Sequence, residues 1–414
     1  MNDTSRKSVF PKEFYWGASA ASYQVEGGIE NTDWAQAAHE GRVPHCGRAC
    51  DHYHRYEEDF DLAKSLGHNA HRLSVEWVRI EPEEGKFNDD AIAHYRTVLT
   101  ALHARGITPM ITLWHFTLPL WFSEKGGFER KDSADIFARY CAYVALKLGD
   151  LCTHFSTMNE PIVYASNGWL RGSWPPFKRF TMTGLVRITN SNRQYESRAD
   201  TGLHGLFLFL RVRKNLALAH NEAYRRMKQQ NRALDIGLVK HVILFESNGN
   251  PINKIKAWFA NQEWTHVFMR RTYQYCDSIG LNYYFYKKFG DTKQYQKTDM
   301  DWDVCPEQIY GCLKMLSRYR KPLYVTEAGV ADAADRIRAD YIERQVAGVK
   351  RALMEGIDVR SHMYWSLLDN YEWALGFEKR FGLIGINYET LERTPRPSAY
   401  VYKAIIERER GLVE

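Results

Sequence analysis

Residues 108–114, TPMITLW, form a short and almost continuous apolar run between two amphipathic stretches, Asp89–Arg105 and Ala134–Leu148. A run of this kind is typical of a strand that is buried on both faces of a parallel sheet. The spacing of apolar residues in the flanking stretches is typical of helices packed against such a sheet. This region therefore predicts a helix–strand–helix unit.

The same alternation continues in both directions along the chain, with a third amphipathic stretch at Tyr56–Leu66. We expect eight strands in total: Phe14–Ala18, Ala70–Val75, Thr108–Trp114, His154–Met158, Ile236–His241, Ser278–Asn282, Leu323–Thr326 and His362–Ser366. Strands that alternate with helices indicate parallel βαβ units, and eight such units indicate a closed barrel. The predicted fold is α/β, a single (β/α)8 TIM barrel with extended βα loops over residues 1–414.

Residues 181–211 break this alternation, because the next helix after the fourth strand is expected only near Val212. Long segments of this kind inside compact domains are either functional or disordered. We therefore expect an insertion or a flexible loop near the mouth of the barrel. The apolar stretch GLFLFLRV at 205–212 could bind an apolar ligand, a membrane or a partner, but local packing is the preferred interpretation.

Composition excludes several classes of partner. The 414 residues are 44% hydrophobic and 26% charged, with a net charge of +6 and no dense run of Lys or Arg, so no nucleic-acid partner is expected. No apolar run approaches the length of a membrane span, so no membrane partner is expected. The seven cysteines show no framework spacing and the N-terminus lacks an apolar leader segment, which together predict a cytoplasmic protein. The oligomeric state stays open.

Polar and aromatic side chains collect at the predicted strand ends. In barrels of this type the active site lies at the C-terminal ends of the strands. The residues at those ends are Arg72, Trp114, His115, Asn159, Glu160, Asn282, Tyr283, Tyr284, Glu327 and Trp365. Two carboxylates that face one pocket suit glycoside hydrolysis, since one can protonate the leaving oxygen while the other attacks or positions water. An arginine favours the ionised form of a neighbouring carboxylate, and a Trp face can support a sugar ring.

The chain resembles glycoside hydrolase family 1, the β-glucosidase family, along nearly its full length. The blocks that carry the resemblance are FYWGASAASYQVEGG at 14–28, HYHRYEEDF at 52–60, HRLSVEWVRIEP at 71–82, TLWHFTLPLW at 112–121, STMNEP at 156–161, LNYY at 281–284, YVTEAG at 324–329 and WSLLDNYEWALGFEKRFGLI at 365–384. The resemblance implies a retaining β-glycosidase that needs no cofactor and no metal. It also implies terminal β-glucosides as substrates, with β-galactosides and β-fucosides accepted as well.

The resemblance assigns a role to each matching residue. Glu160 matches the acid/base, Glu327 matches the nucleophile, and Tyr284 and Arg72 match the groups that hold the nucleophile. The matching substrate-binding residues are Gln24, His115, Asn159, Asn282, Trp365, Glu372, Trp373 and Phe381. Of these, Asn159 matches the residue that binds the sugar 2-hydroxyl and Trp365 matches the stacking platform. The two carboxyl groups are expected about 5–5.5 Å apart, the separation of retaining enzymes.

The sequence departs from the family pattern in three places. Ala328 replaces the usual Asn after the nucleophile, which removes a polar side chain there. Phe116-Thr117 replaces the usual Trp-Asp, which changes the pocket wall more than the chemistry. Residues 181–211 have no counterpart, so the leaving-group preference is the least secure implication.

Three alternatives stay open. A 6-phospho-β-glycosidase would need cationic and hydroxyl groups after the eighth strand, where Glu372 would repel phosphate. A catalytically inactive sugar-binding barrel is the second alternative, and Ala328 and residues 181–211 are the features that support it. The third is a zinc site in residues 39–54, which hold His39, His45, Cys46, Cys50, His52 and His54. Their spacing matches no zinc motif, so ordinary loop and helix-start residues are the preferred interpretation.

Overall fold

A computed structural model of the chain describes residues 8–180, 199–200 and 203–412. Eight parallel strands close into a barrel in which consecutive strands are neighbours and the first strand pairs with both the second and the eighth. The strands are β1 Tyr15–Ser19, β2 Ala70–Ser74, β3 Thr108–Thr112, β4 His154–Asn159, β5 Asp235–His241, β6 Ser278–Tyr283, β7 Leu323–Ala328 and β8 Val359–Trp365. The predicted fold and all eight predicted strands are confirmed, with small differences at the strand ends.

Helices follow the strands and cover the barrel. The longer ones are His52–Ser65, Asp89–Ala104, Ser133–Leu148, Pro161–Trp169, Leu203–Gln230, Pro251–Asn261, Ile309–Ser317, Arg338–Met354 and Pro397–Glu409. Shorter helices are Ser22–Val25, Asp33–His39, Trp77–Ile80, Leu120–Ser123 and Val267–Thr272. Single 3-10 turns are Gly127–Glu129, Tyr273–Tyr275, Pro306–Gln308 and Trp373–Leu375, and Gln262–His266 is a π-helical turn. Two-stranded sheets pair Phe245–Ser247 with Lys287–Phe289, Ile384–Ile386 with Arg393–Pro395, and Lys178–Arg179 with Ala199–Asp200.

The helix predicted near Val212 begins earlier. It starts at Leu203, so residues 203–211 are helical, and the helix Pro161–Trp169, which was not predicted, follows β4 directly. The run LFLFL suggested an irregular segment, but Leu208 and Phe209 are buried by local packing, whereas Phe207 is 66% exposed. The remaining residues of the predicted insertion or loop, 181–198 and 201–202, lie outside the described residues.

The strands are buried on both faces, as parallel barrel strands require. Every residue of β2, β6 and β7 is buried. Gly17 on β1 shows how closely the strands approach, because a Cβ at that position would lie 1.9 Å from the carbonyl oxygen of Ala70 on β2. Within the described ranges, no helix is long and apolar enough to cross a membrane.

Two strands lose their regular register just before a predicted catalytic residue. The pairing of β4 with β5 shifts between Ser156 and Asn159. The pairing of β7 with β6 shifts between Val325 and Glu327. Such irregularities re-aim side chains and are frequent beside active sites. Here they lead directly into the two segments that carry Glu160 and Glu327.

Candidate active site

Glu327 lies at the C-terminal end of β7 and is 3% exposed. Its carboxylate is held on both oxygens. Arg72 Nη1 donates to Oε1, and the Tyr284 hydroxyl donates to Oε2 at 2.6 Å. These two donors balance the charge of the buried group and fix its orientation. The arrangement brings together the three residues that the sequence predicted around the nucleophile.

Arg72 also joins Glu327 to the second carboxyl group. Its Nη2 donates to Asn159 Oδ1 at 2.8 Å. The same Asn159 oxygen accepts from Asn282 Nδ2 at 3.1 Å, and Asn282 Nδ2 donates to Glu160 Oε1 at 2.7 Å. One short chain of hydrogen bonds therefore runs from Glu327 through Arg72, Asn159 and Asn282 to Glu160.

Glu160 differs from Glu327 in its surroundings. It follows β4 directly and precedes the helix Pro161–Trp169, and its φ of 43° puts the backbone in the left-handed region that non-glycine residues seldom adopt. The side chain is 7% exposed. Burial, followed by the charge of Glu327, raises the pKa of Glu160, and the hydrogen bond from Asn282 offsets only part of this rise. The carboxyl group is therefore suited to carry a proton near neutral pH.

Aromatic rings form one wall of the pocket. The His115 ring is nearly parallel to Trp365, with centroids 5.8 Å apart, and to Trp373, with centroids 6.0 Å apart. Phe381 belongs to a buried apolar cluster with Trp365 and Tyr284. The ring centroid of Phe381 lies 6.1 Å from that of Tyr284, so Phe381 is placed beside two residues of the predicted site.

Several polar atoms in the pocket have no partner among the described residues. They include Gln24 Oε1 and His115 Nδ1, both buried. The Gln24 amide nitrogen, by contrast, is held by Asn370 Oδ1 at 3.0 Å and by the Tyr371 carbonyl at 2.7 Å. Burial and the nearby Glu327 raise the pKa of Glu372 to about 8. A polyhydroxylated ligand could supply the missing hydrogen bonds.

The structure places the three residues that depart from the family pattern, Ala328, Phe116 and Thr117. Ala328 is fully buried in the main core. Phe116 packs against Trp174 and Trp373, with ring centroids 4.8 and 5.2 Å apart, so it does belong to the wall. The Thr117 hydroxyl donates to Glu76 Oε1 at 2.9 Å, behind that wall.

Five of the six His and Cys residues at positions 39–54 have hydrogen-bond partners outside this set. His52 Nδ1 lies 2.7 Å from Asp59, and His54 Nδ1 lies 2.7 Å from Asp51. The thiol of Cys50 donates to the Asp369 carbonyl at 3.0 Å. In the part of the chain that the structure describes, no three His, Cys, Asp or Glu side chains come together as metal ligands would.

One strand end carries no predicted site residue. This strand is β5, which ends in Lys240-His241. Both side chains are buried, and the His241 ring lies 6.0 Å from the ring of Tyr284. The signal was present, because two polar residues that close the apolar run IGLV should lie at the same rim as the other strand ends.

Comparisons with known proteins agree with this geometry. The sequence profile described as "Glycosyl hydrolase family 1" matches residues 6–287 and 246–411. Beta-glucosidase A of Acetivibrio thermocellus is 30% identical over 97% of this chain and 98% of the relative, and a beta-galactosidase of Sulfolobus acidocaldarius is 30% identical over 98% and 96%. The structure of a beta-glycosidase from Pyrococcus horikoshii superposes with a TM-score of 0.84 at 35% identity, covering 97% of this chain and 95% of the other.

Proposed function

This chain belongs to glycosyl hydrolase family 1 and is a β-glycosidase, and we propose that it hydrolyses terminal nonreducing β-linked sugars with retention of anomeric configuration. Glu327 is the nucleophile and Glu160 the acid/base. The observation that carries this division is the unequal environment of the two carboxyl groups. Glu327 accepts hydrogen bonds from Arg72 and Tyr284, whereas burial and the charge of Glu327 raise the pKa of Glu160.

The first step forms a covalent intermediate. A Glu327 oxygen attacks the anomeric carbon while Glu160 transfers its proton to the departing oxygen, so the leaving group departs as a neutral alcohol. Once Glu327 is bound to the sugar its negative charge is gone, and the main electrostatic cause of the raised pKa of Glu160 is removed with it. The ionised Glu160 then takes a proton from water, the water oxygen attacks the anomeric carbon, and Glu327 is released.

The remaining pocket residues bind the sugar. Trp365 supports the apolar face of the ring. Asn159, which already accepts from Arg72, offers its amide nitrogen to the 2-hydroxyl group. The other hydroxyl groups are bound by Gln24, His115, Glu372 and Trp373. The unpartnered atoms of Gln24 and His115 support this assignment. A sugar hydroxyl can donate to Gln24 Oε1, and it can accept from His115 Nδ1, because His115 Nε2 already accepts from the Asn159 amide nitrogen.

Glucosides and galactosides are the proposed substrates, with fucosides as a further one. Relatives at about 30% identity over nearly the whole chain are named beta-glucosidase and beta-galactosidase. A galactoside differs from a glucoside in the configuration of one hydroxyl group, and a fucoside differs from a galactoside in lacking the 6-hydroxyl group. The carboxyl group of Glu372 and the unpartnered Oε1 of Gln24 can each accept from a sugar hydroxyl group.

A phosphorylated substrate is disfavoured by Glu372. Its carboxyl group lies where a phosphate would need cations, and the nearby Glu327 already disfavours a second negative charge. An inactive sugar-binding barrel is disfavoured because Glu160 and Glu327 both belong to the hydrogen-bond network expected of catalytic residues.

We also propose a cytoplasmic location. All seven cysteines carry buried, free thiols. A reducing compartment maintains cysteines in this state.

Hydrolysis of four p-nitrophenyl β-glycosides tests the proposal: the glucoside, the galactoside, the fucoside and the glucoside 6-phosphate. We expect turnover of the three unphosphorylated compounds and little or none of the phosphate. Proton NMR of the first product should show the β-anomer before mutarotation. An α-anomer as the first product would overturn the retaining mechanism, and activity only on the phosphate would overturn the substrate assignment.

A further inference from the structure

The end of strand β5 carries a histidine that the mechanism above does not use. His241 is in register with Asn282 on β6. Paired residues of neighbouring parallel strands point to the same face of the sheet. Because the Asn282 amide reaches Asn159 and Glu160 inside the barrel, the His241 side chain also faces the interior, at the level of the carboxyl groups.

His241 is held firmly in this position. Its carbonyl oxygen accepts from Lys240 Nζ at 2.5 Å and from Trp264 Nε1 at 3.1 Å. Its ring packs among Trp264, Tyr284 and Phe285, with centroid distances of 5.8, 6.0 and 5.7 Å. Backbone and ring plane are therefore fixed before any ligand arrives.

The ring nitrogen Nδ1 is the part of His241 that is left without a partner among the described residues. The residue is 6% exposed, and Nδ1 is buried with no hydrogen-bond partner in the described part of the chain. A buried polar atom without a partner is costly, and at the edge of a pocket it indicates a group supplied by a ligand or by water. Burial, with the nearby cations Lys240 and Arg171, lowers the pKa of His241 to about 3. The imidazole is thus neutral near pH 7 and offers one donor and one acceptor.

The position of β5 decides which part of the substrate His241 meets. Five of the residues assigned to the terminal sugar, Gln24, His115, Trp365, Glu372 and Trp373, lie at or after the ends of β1, β3 and β8, whereas Asn159 ends β4 beside Glu160. Strand β5 lies directly opposite β1 in the eight-stranded ring. Glu160, at the end of β4, must face the oxygen that leaves. A group on the far side of Glu160 from the terminal sugar therefore faces the leaving group.

We propose that His241 is a specificity-determining residue that hydrogen-bonds a hydroxyl group of the leaving group, so that the chain favours a second sugar there over an apolar alcohol or aryl group. This inference rests on the proposed β-glycosidase function and names the class of leaving group for the same site. The bond is made in the first chemical step only, since the leaving group has departed before water attacks.

The test compares leaving groups within each variant, so that losses from misfolding cancel. For His241→Phe we expect the ratio of kcat/KM for cellobiose to kcat/KM for p-nitrophenyl β-glucoside to fall by about tenfold, the size of one hydrogen bond to a neutral group. His241→Asn keeps a donor and an acceptor and should restore most of the ratio. Octyl β-glucoside, whose leaving group lacks hydroxyl groups, should behave like the aryl glucoside.

His68→Phe is the matched control. His68 is also buried with both ring nitrogens unpartnered, but it precedes β2 at the opposite end of the barrel. The His68→Phe variant should leave the ratio of the two kcat/KM values unchanged. If His241→Phe lowers activity on cellobiose and on the aryl glucoside equally, the inference is wrong while the proposed function stands. A wild-type protein without activity on any of these glycosides would refute the proposed function instead.

Discussion

The two ends of the barrel both carry buried or half-buried clusters of ionisable side chains, yet they are built differently. At the N-terminal end, Asp235 accepts from the Ser278 hydroxyl at 2.6 Å and from the Tyr324 hydroxyl at 3.3 Å, and it lies 3.5 Å from His154 Nδ1. This is a serine, a histidine and an aspartate in contact, the residue types of a hydrolytic triad. The serine, however, donates to the aspartate rather than to the histidine, so no base is available to activate it.

The protonation behaviour of the two ends separates them further. Burial alone would raise the pKa of Asp235, but hydrogen bonds from His154 and Ser278 lower it overall. At the C-terminal end burial prevails, and the pKa of Glu160 is raised. The N-terminal cluster satisfies its own hydrogen bonds, whereas the C-terminal cluster leaves a proton and several polar atoms free for a substrate. This difference, rather than the residue types, identifies the active site.

Removing the nucleophile should have the largest effect. For Glu327→Ala we expect kcat to fall about 10⁴-fold or more, because no covalent intermediate can form. Added azide or formate should restore turnover of an activated aryl glycoside and invert the product, since the small anion attacks from the vacated side. Rescue with retained configuration would contradict the assignment of Glu327.

Removing the acid/base should have a smaller effect that depends on the leaving group. For Glu160→Gln we expect a loss of about 10²–10⁴-fold on cellobiose, typical of a lost general acid. The loss should be far smaller on 2,4-dinitrophenyl β-glucoside, whose leaving group needs no proton.

The pH profile gives a second measure of the same residue. Because the pKa of Glu160 is raised, its proton is retained to higher pH, and activity should fall on the alkaline side only as that proton is lost. The Glu160→Gln variant should lack this alkaline limb with the dinitrophenyl substrate. Equal losses on both substrates, with the limb still present, would remove Glu160 from the acid role.

The N-terminal cluster should affect stability and leave catalysis nearly unchanged. Asp235→Asn weakens the interaction with His154, and we expect the free energy of unfolding to fall by about 1–3 kcal/mol. The Asp235 pKa is lowered in the folded state, so this contribution is present above the ordinary carboxyl pKa and is lost as the pH falls through the lowered value. Denaturant unfolding of the variant and of the wild type at pH 7 and at pH 3 measures this contribution to the free energy of unfolding. A large loss of kcat in this variant would mean that the two ends are coupled.

The sequence allowed the strand order and most of the rim to be predicted, because apolar runs mark buried strands and the residue after each run must lie at the rim. The early start of the helix at Leu203 was missed, since the run LFLFL is as compatible with an extended as with a helical segment. The register shifts before Asn159 and Glu327 arise from pairing with strands that are neighbours in the barrel but distant in the sequence. The local sequence pattern therefore cannot reveal them. The polar end of the run IGLV indicated that His241 lies at the rim, but the face of the sheet to which it belongs follows from its pairing with Asn282.

The pairing of β1 with both β2 and β8 means that none of the eight barrel strands has an open edge. An open edge presents unpaired amide and carbonyl groups on which a second chain can assemble as an added strand. In this barrel such groups become available only after the ring of hydrogen bonds breaks. Resistance to intermolecular strand pairing is therefore tied to the same closure that holds Glu160 and Glu327 at one rim, and heat-induced aggregation through these strands must begin with the opening of the barrel.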